Sequence, residues 1–415
     1  MSSFKILKKC RICGSKNLNL IFQNGASPIG EHFLKSNQKK RKQKSYPIDY
    51  LCCKKCKLIQ VKHIINNAIL YPDYLYETKT SLTLNKHFSN LSRALANKKL
   101  LKKNSSILDI GSNDGTLLKN FKGITSKIIG IEPSKKISRE ANINGIKTIN
   151  GFFDKKSVNK AIELNGKKKF SLITGTNVIA NIDNLNDVFK NIKRSLDING
   201  VFVFETFYLK SLVQNNVFDF LYHEHLSLFG IMPVMYICKK FNLKLYDIEL
   251  LDTKGGSIRF YITHVKNSFD ISQKLKIAIL NEKKQKIYNK KFFLKLNKKK
   301  LIEKKIINNF LKNKDNPRRR IIGLGASISC VTLIYDFNLE YKIDYLIDDN
   351  RIKHNMLSPG SKILIKDASS FKFKKDDIIL ILAWRYKGMF LKKYEKKFKS
   401  LKVFDVWPKF QIIQK

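Results

Sequence analysis

Short apolar runs alternate with amphipathic stretches along much of the chain. In its middle part, the apolar runs predict strands at residues 106–110, 127–131, 170–176 and 200–205, with a helix at residues 187–196. Strands that alternate with helices are typical of an open, mostly parallel sheet. The same pattern returns later, where strands are predicted at residues 321–323, 345–348, 378–383 and 401–404. We therefore expect an α/β protein that contains two such sheets.

Two longer stretches have apolar residues at helical spacing. Residues 81–103 predict a single amphipathic helix. Residues 268–316 are rich in lysine and predict long helices that bridge domains. The apolar face of these helices is expected to consist of Leu275, Ile279, Phe292, Leu296, Ile302, Ile306 and Phe310.

Polar and glycine residues follow several of the predicted strands. The first strand of the middle part leads into a glycine-bearing loop, and Glu132 ends the second strand. The candidate ligand-binding residues are Asp109, Gly111, Asn113, Asp114, Gly115, Glu132 and Asn177. Ligands on such sheets bind at the carboxyl ends of the strands. We therefore expect Gly111, Glu132, Asn177 and Glu205 to line one pocket.

The chemistry of this loop indicates the class of ligand. An acidic residue at the end of the second strand is placed to bind the ribose hydroxyls of an adenosine. The loop lacks the G-x-G-x-x-G pattern of hydride-transfer enzymes, and Asp109 and Asp114 would repel a pyrophosphate. Carboxylates suit a cationic ligand, such as the amino group and sulfonium of S-adenosylmethionine. We expect that cofactor.

The cysteines are unevenly distributed, with five of the seven in the first 56 residues. Cys10 and Cys13 form one C-x-x-C pair, and Cys53 and Cys56 form another. Each pair can make a tight turn that directs both thiolates at one ion, and two such turns complete a tetrahedral zinc site. A redox motif is the alternative, but it would need only one pair. We expect a structural zinc without a catalytic role, with Cys52 outside the site.

Charge and length limit the possible functions. The 415 residues suggest two or three domains, and 81 Lys plus Arg against 33 Asp plus Glu give a formal charge of +48. Only 11 of the basic residues are arginine, and lysines are spread along the whole chain, as an AT-rich genome would produce. We therefore expect no nucleic-acid partner, although nucleotide phosphates would be attracted. No apolar run approaches the ~20 residues of a membrane span, and no secretory leader is evident, so we expect a cytoplasmic protein.

Residues 220–229 place several chemically active side chains inside an otherwise apolar run. They include Tyr222, His223, Glu224 and His225. The two histidines could bind a metal together with Glu224, or the segment could be a polar loop that satisfies backbone groups. Two histidines, a tyrosine and a glutamate together favour a site, and acid–base chemistry is preferred because no further histidine nearby has ligand spacing.

With these residues the chain resembles the three-domain sugar C-methyltransferases of deoxysugar pathways. The matching stretches are both C-x-x-C pairs and residues 108–118, 130–134, 177–182, 222–226, 255–259 and 323–326. The resemblance implies a small zinc-binding N-terminal domain, a Rossmann-like class I methyltransferase domain and a second Rossmann-like C-terminal domain. We expect them at residues 1–75, 76–305 and 306–415.

The resemblance also implies a reaction. Such enzymes use S-adenosylmethionine to methylate the carbon beside the ketone of a nucleotide-linked 4-keto-deoxysugar, through an enolate. His225 and Tyr222 are the implied proton-transfer residues, Glu224 would orient them, and Tyr76 matches an active-site tyrosine. The C-terminal domain would help to hold the nucleotide-linked sugar.

Several departures from the family lie at substrate-facing positions, among them the segment after Tyr76, where residues 77–81 replace a serine-rich stretch. Asn181 stands where the family commonly has histidine, which keeps hydrogen bonding but loses titration. Lys254 replaces a histidine, and Ser329 replaces a lysine. An O- or N-methyltransferase of a sugar or small molecule is therefore the first alternative. A non-catalytic nucleic-acid-binding protein on the same fold is the second, and we expect a monomer or homodimer.

Overall fold

The computed structural model describes residues 3–70, 78–80, 82–312 and 319–414. Tyr76, one of the predicted active-site residues, lies outside the described residues. The strands are β1 (Phe4–Ile6), β2 (Leu18–Ser27), β3 (Tyr46–Cys53), β4 (Ile59–Val61), β5 (His63–Ile65), β6 (Ile107–Ile110), β7 (Ile128–Glu132), β8 (Thr148–Asn150), β9 (Phe170–Thr176), β10 (Leu196–Phe207), β11 (Ser227–Leu228), β12 (Leu243–Leu251), β13 (Ser257–His264), β14 (Ile321–Leu324), β15 (Tyr345–Asp348), β16 (Leu364–Asp367), β17 (Ile378–Ile381), β18 (Lys402–Asp405) and β19 (Gln411–Gln414). The helices are α1 (Asn67–Leu70), α2 (Leu82–Asn97), α3 (Thr116–Lys119), α4 (Lys135–Ile143), α5 (Lys155–Leu164), α6 (Leu185–Ser195), α7 (Leu209–Gln214), α8 (Ile231–Lys240), α9 (Gln273–Gln285), α10 (Lys290–Lys312), α11 (Ile328–Asp336) and α12 (Lys387–Phe398).

A central sheet contains the predicted strands of the middle part in the order β12-β13-β10-β9-β6-β7-β8. Strands β6 to β10 pair in parallel, and β13 runs antiparallel to both of its neighbours. Strands β6 and β7 are buried along their whole length, as in parallel sheets covered on both faces. The predicted α/β fold is confirmed. The carboxyl ends of β6, β7, β9 and β10 lie along one edge and carry the candidate residues.

A second parallel sheet forms the C-terminal part of the molecule. Its order is β16-β15-β14-β17-β18-β19, and only the pair β18–β19 is antiparallel. The first strand of this sheet, β14, again leads through a glycine, Gly325, towards a helix, α11. This confirms the second strand–glycine–helix unit predicted from the sequence.

The N-terminal part contains an antiparallel sheet in the order β11-β4-β3-β2, beside the short pair β1–β5. Its strand β11 comes from a distant part of the chain. Ser227 pairs with Gln60 and Leu228 with Ile59. The segment that carries the predicted acid–base residues therefore ends as a strand of the N-terminal sheet.

Two helix predictions need correction. The helix predicted at residues 81–103 ends at Asn97, because Lys99 adopts the left-handed φ of 56° and Leu100 N bonds to Leu95 O at 3.2 Å. The long helices α9 and α10 are present, but the apolar face predicted for α10 is wrong in part. Ile302 and Ile306 are 57% and 44% exposed. Leu296 is buried as predicted, and the other buried residues of α10 are Phe293, Lys300, Glu303, Ile307 and Leu311.

Specific partners explain why two charged residues of α10 face inward. Lys300 Nζ lies 2.9 Å from both Asp336 Oδ1 and Asn24 Oδ1. Glu303 Oε2 accepts a hydrogen bond from Phe410 N at 2.7 Å. Paired in this way, both charged groups can be buried.

Among the described residues, none of the helices has the length and apolar character needed to cross a bilayer.

The four cysteines of the two C-x-x-C pairs come together in the N-terminal part. Their sulfur atoms all lie within 4.8 Å of one another, with 3.4 Å between those of Cys10 and Cys56 and 3.5 Å between those of Cys13 and Cys53. Cys52 is not part of the cluster, as predicted. Four clustered thiol groups have the number, chemistry and spacing that a structural zinc requires.

Both cysteine pairs close the same kind of turn. Gly14 N bonds to Cys10 O at 2.9 Å, and Lys57 N bonds to Cys53 O at 3.0 Å. Gly14 has a φ of 71°, and Lys57 has a φ of 65° although it is not glycine. Left-handed φ values are uncommon for lysine, so the second turn is formed against the local preference of the chain.

We expect the Cys53→Ser variant to lose zinc and stability. A bound zinc contributes about 10 kcal/mol or more to the folding of small zinc modules, and serine at a ligand position weakens the site. Metal analysis in reducing buffer, together with thermal unfolding, measures both effects. Cys52→Ser is the matched control, since its thiol lies outside the cluster. Wild-type protein without zinc, or equal zinc loss in both variants, would contradict the prediction.

Candidate functional site

The glycine loop after β6 has a conformation that depends on its glycines. Gly111 has a φ of 65°, and a Cβ at this position would lie 2.8 Å from Val178 Cγ2. Gly115 has a φ of 76°, and its Cβ would lie 2.8 Å from Ile146 Cγ2. Both positions therefore require glycine, because the positive φ and the packing against Val178 and Ile146 leave no room for a side chain.

Glu132 lies at the end of β7, next to this loop. Its carboxylate accepts hydrogen bonds from Asn113 N at 3.1 Å and Ser134 N at 2.9 Å. Burial raises its pKa, while these two hydrogen bonds oppose the rise. Each carboxylate oxygen can accept more than one hydrogen bond, so Glu132 retains capacity for the hydroxyls of a ribose. The residues present therefore fit an adenosine ligand.

The loop aspartates are engaged by neighbouring groups of the chain. Asp109 Oδ1 accepts a hydrogen bond from Thr174 Oγ1 at 2.6 Å, and burial raises the pKa of Asp109 to about 7, with a further contribution from the charge of Glu132. Asp114 accepts hydrogen bonds from Thr116 N at 3.1 Å and from Lys79 N at 2.7 Å. The two carboxylates thus also hold the loop in place.

The segment that follows the undescribed residues 71–77 is attached to the glycine loop. Thr78 N donates to Asn113 Oδ1 at 2.9 Å, beside the bond from Lys79 N to Asp114. Asn113 itself has a left-handed φ of 51°. Thr78 and Lys79 are therefore fixed at the predicted cofactor loop.

The turn after β9 carries Asn177 and Asn181. Asn177 has a φ of 57°, and its N–H donates to Glu205 O at 2.8 Å, which places it beside the end of β10. Asn181 is partly buried, and its Oδ1 has no hydrogen-bond partner among the described residues. Buried polar atoms usually have partners. An unpartnered amide oxygen at this edge indicates a place where a ligand could supply the missing donor.

Glu205 has a structural role within the protein in addition to its position at the sheet edge. Its carboxylate lies 2.7 Å from His87 Nε2 and 2.9 Å from Arg259 Nη2. Although burial opposes ionisation, the contacts with His87 and Arg259 lower the pKa of Glu205. This buried cluster ties α2 and β13 to the end of β10.

In the segment from Phe218 to Leu226, several main-chain carbonyl groups accept hydrogen bonds from side chains elsewhere in the chain. Asn24 Nδ2 donates to Phe218 O at 3.3 Å and to Leu221 O at 3.0 Å. The Tyr50 hydroxyl donates to His225 O at 2.9 Å.

The Arg11 side chain extends this support from inside the first cysteine pair. Its guanidinium donates to Leu226 O, and Nη1 donates to Ile182 O at 3.1 Å. Arg11 therefore connects the candidate zinc site to the turn beside Asn181 and to the segment that carries His225.

His225 is buried among aromatic rings at this position. Its ring centroid lies 4.0 Å from that of Tyr222 and 4.5 Å from that of Phe207. Nδ1 lies 2.6 Å from Phe220 O. A carbonyl only accepts hydrogen bonds, so Nδ1 must carry the proton and the neutral ring presents Nε2 as an acceptor. Nε2 makes no hydrogen bond to another described residue.

Burial lowers the pKa of His225 to about 3, opposed by the hydrogen bond to Phe220 and assisted by the charge of Lys254. The ring is therefore neutral at physiological pH. The buried aromatic surroundings explain why the pKa of His225 lies below the ordinary value for histidine.

The surroundings of His223 and Glu224 differ from those of His225. His223 Nε2 lies 3.0 Å from Tyr46 O, and burial lowers the pKa of His223 to about 4. Burial raises the pKa of Glu224 to about 8, and the charge of Glu31 adds to this effect. The group that orients His225 is thus the Phe220 carbonyl rather than Glu224. Among the described residues, only the four cysteines form a cluster suited to a metal, so the metal alternative for the histidines gains no support.

Lys254 is a charged neighbour of His225 whose role sequence reasoning did not assign. It has a left-handed φ of 55° in the turn between β12 and β13, followed by Gly255 and Gly256, which also have positive φ. Burial lowers the pKa of Lys254 to about 8, opposed by the charge of Glu205. Its charge acts on the His225 ring, since it contributes to the lowered pKa of that histidine.

Other residues at this site carried little recognisable signal in the sequence. They are Arg11, Asn24, Tyr50, His87, Arg259 and Arg385. The arginines share one feature that could have marked them, because arginine is rare in this lysine-rich chain and makes bidentate contacts that lysine cannot make.

Family comparisons divide the chain into three successive regions. A zinc binding domain family matches residues 10–71, a methyltransferase domain family matches residues 83–248, and the C-methyltransferase C-terminal domain family matches residues 252–403. The boundaries predicted at residues 75 and 305 stay predictions. Because it contains the methyltransferase domain, the protein is S-adenosylmethionine-dependent. Because it contains the zinc binding domain with four clustered cysteines, it is zinc-binding.

The chain is also similar to individual proteins. The C-methyltransferase NovU of Streptomyces niveus is 23% identical over 381 residues, which cover 92% of this chain and 90% of that protein. A solved S-adenosylmethionine-dependent methyltransferase from Clostridium acetobutylicum is 15% identical with a TM-score of 0.34, over 48% of this chain and 95% of that chain. The magnesium protoporphyrin IX methyltransferase of Synechocystis is 11% identical with a TM-score of 0.34, over 43% of this chain and 83% of that chain. The chain thus carries, in order, a zinc binding domain, a methyltransferase domain and a C-methyltransferase C-terminal domain, and it is an S-adenosylmethionine-dependent methyltransferase.

Proposed function

We propose that this C-methyltransferase acts on a nucleotide-linked 4-keto-deoxysugar and methylates the carbon beside its ketone through an enolate. The observation that carries the proposal is the state of His225. Its proton is on Nδ1, where Phe220 O accepts it, and its Nε2 is an available acceptor in a buried, partly apolar position. Carbon methylation requires a carbon nucleophile, and a C–H bond beside a ketone is acidic enough for a positioned base to remove its proton.

In the proposed reaction, His225 Nε2 takes the proton from the carbon beside the ketone, and the negative charge passes to the ketone oxygen. The Tyr222 hydroxyl and the Nδ2–H group of Asn181 are the candidate donors to that oxygen. Lys254 supplies positive charge nearby, which favours an anion in a buried site. S-adenosylmethionine, when bound, supplies the methyl group that the enolate carbon receives.

The low pKa of His225 in the free protein does not exclude it as the base. An imidazolium is stabilised by an anion within a few ångströms, and the enolate forms next to the ring as the proton is transferred. Asp109, Gly111, Asn113, Asp114, Gly115, Glu132 and Asn177 are proposed to surround the cofactor, with Glu132 on its ribose. The cofactor and the base would then lie on either side of the sugar carbon.

Two features support a nucleotide-linked substrate. The formal charge of +48 favours ligands that carry phosphates. The C-terminal sheet offers a second glycine turn, in which Gly325 has a φ of 107° and Ala326 N donates to Asp348 Oδ2 at 2.7 Å. We propose that this turn helps to hold the nucleotide half, while the sugar lies near His225.

We expect Glu132→Ala to weaken S-adenosylmethionine binding by about 1.5–3 kcal/mol, the usual value of hydrogen bonds to a charged group. Isothermal calorimetry measures the change. Glu132→Gln, which keeps an acceptor oxygen but removes the charge, should fall between wild type and alanine, and the exposed Glu163→Ala should bind like wild type. Unchanged affinity in Glu132→Ala would mean that the ribose contact is assigned to the wrong residue.

We expect His225→Asn to keep its affinity for S-adenosylmethionine and to lose turnover by about 10²–10⁴-fold, the usual contribution of an acid–base group. Deprotonation can be followed separately by deuterium exchange at the sugar carbon with S-adenosylhomocysteine bound. Exchange should disappear in His225→Asn and persist in Tyr222→Phe, whereas the reverse result would make Tyr222 the base. Methylation of a substrate that has no ketone would instead favour O- or N-methyl transfer.

We expect kcat/KM to stay nearly constant as the pH falls from 7 to about 5. The base form of His225 persists above its lowered pKa, and kcat/KM reports ionisations of the free enzyme. Lys254→Met removes a cation that opposes imidazolium formation, so the pKa of His225 and the acid limb of the profile should move to higher pH. Lys286→Met, at another left-handed lysine that is exposed, should leave the profile unchanged. An acid limb near pH 6.5 in the wild type would contradict the prediction.

A further inference from the structure

A loop of the C-terminal sheet reaches the segment that carries His225. After β17, Arg385 Nη1 donates to both carboxylate oxygens of Asp219, at 2.7 and 2.6 Å. Trp384 Nε1 donates to Asp219 Oδ2 at 3.2 Å. Asp219 is 0% exposed and the Arg385 side chain is 11% exposed, so this ion pair is well shielded from water.

The same guanidinium also contacts the next residue along the chain. Arg385 Cζ lies 4.3 Å from the centroid of the Phe220 ring, within the range of a cation–π interaction. The Phe220 ring is nearly parallel to the His225 ring, with an angle of 24° and 5.9 Å between centroids. The Phe220 carbonyl is the group that accepts the Nδ1 proton of His225. Arg385 therefore contacts the side chains of both Asp219 and Phe220. The Phe220 carbonyl, in turn, determines which nitrogen of His225 carries the proton.

Arg385 is itself held in place from two sides. Its Nη2 donates to Ser329 Oγ at 3.1 Å, at the start of α11. On the other side, a Cβ at Gly255 would lie 3.5 Å from Arg385 Cδ and 2.7 Å from Val217 Cγ2. The glycine therefore leaves room for the arginine beside Val217. Lysine could not reproduce these contacts, because only a guanidinium has several N–H groups in one plane.

We propose that Arg385 is a positioning residue that fixes the Nδ1-protonated tautomer and the ring plane of His225 through Asp219 and Phe220. Arg385 acts through the loop and not on the reacting atoms. Its catalytic importance rests on the proposed function of His225 as the base. The effect on the tautomer does not rest on that function and can be measured without turnover.

The tautomer can be observed directly by two-bond ¹H–¹⁵N NMR of protein labelled with ¹⁵N-histidine. The chain has seven histidines, and His225→Asn identifies the signals of His225. In the wild type, we expect a protonated Nδ1 and an unprotonated Nε2. In Arg385→Met, we expect the proton to be shared between both nitrogens, and turnover to fall about 10²-fold, as expected when a reacting group is misplaced by about 1 Å. Arg385→Lys should show a smaller effect of the same kind.

Arg320→Met is the matched control. Arg320 directly precedes β14 in the C-terminal part and forms a bidentate pair with Asp377, at 2.9 and 2.6 Å, without a hydrogen bond to residues 218–225. This variant should leave the His225 signals unchanged. Zinc content and S-adenosylmethionine affinity close to wild type establish that the Arg385 variants are folded. If Arg385→Met does not fold, Arg385→Lys and Asp219→Asn provide the same comparison.

Each outcome has one interpretation. Unchanged His225 signals in folded Arg385 variants would overturn the inference, and lower activity in such variants would then have to come from direct contact with substrate. A shifted tautomer together with full deuterium exchange in His225→Asn would support the inference and reject His225 as the base. A shifted tautomer with loss of exchange in His225→Asn supports both.

Discussion

Residues 218–226 are a buried stretch of chain with little regular structure. The carbonyl groups of such a stretch need hydrogen-bond donors from other parts of the chain, and this requirement organises the molecule around it. Buried carbonyls without donors are costly. The donors come from Asn24 and Tyr50 in the N-terminal part and, through Asp219, the segment is also tied to Arg385 in the C-terminal part. Arg11 completes the set at Leu226. The three domains thus meet on one segment, and it is the segment that carries His225.

This arrangement gives the zinc-binding domain a role that does not require zinc chemistry. Arg11 lies between Cys10 and Cys13, so its backbone position is determined by the turn that the cysteines close. Its guanidinium connects that turn to Ile182, one residue after Asn181, and to Leu226, one residue after His225. A metal without an open coordination position can in this way influence the geometry of a site that it does not enter.

The sequence predicted the regular parts of the molecule and the chemistry of its edges. Strand–helix alternation located both parallel sheets, and the two C-x-x-C pairs identified the four clustered cysteines, because these features depend on local patterns. The buried face of α10 was predicted incorrectly at Ile302 and Ile306, since Lys300 and Glu303 find distant partners in Asp336 and Phe410 that no local pattern contains.

The contacts that support the candidate site were hidden for the same reason. Glu205 was expected to line a pocket. Its carboxylate contacts His87, which lies more than a hundred residues earlier in the chain, and this contact could not be read from the local sequence. Phe220 was unremarkable in the sequence, because the group that matters is its main-chain carbonyl. Pairs that are distant in sequence and contacts of main-chain atoms both require the folded chain to be seen.

The pairing of β11 with β4 also has a consequence for a chain that is still being synthesised. The cysteine pairs and strands β2 to β4 leave the ribosome long before residues 227–228, which complete their sheet. Domains generally fold as units in the order of their synthesis, yet here one edge of the first sheet stays open until most of the central sheet has been made. An open edge can pair with a neighbouring nascent chain. Early capture of zinc would keep the unfinished sheet in its native register until its last strand emerges.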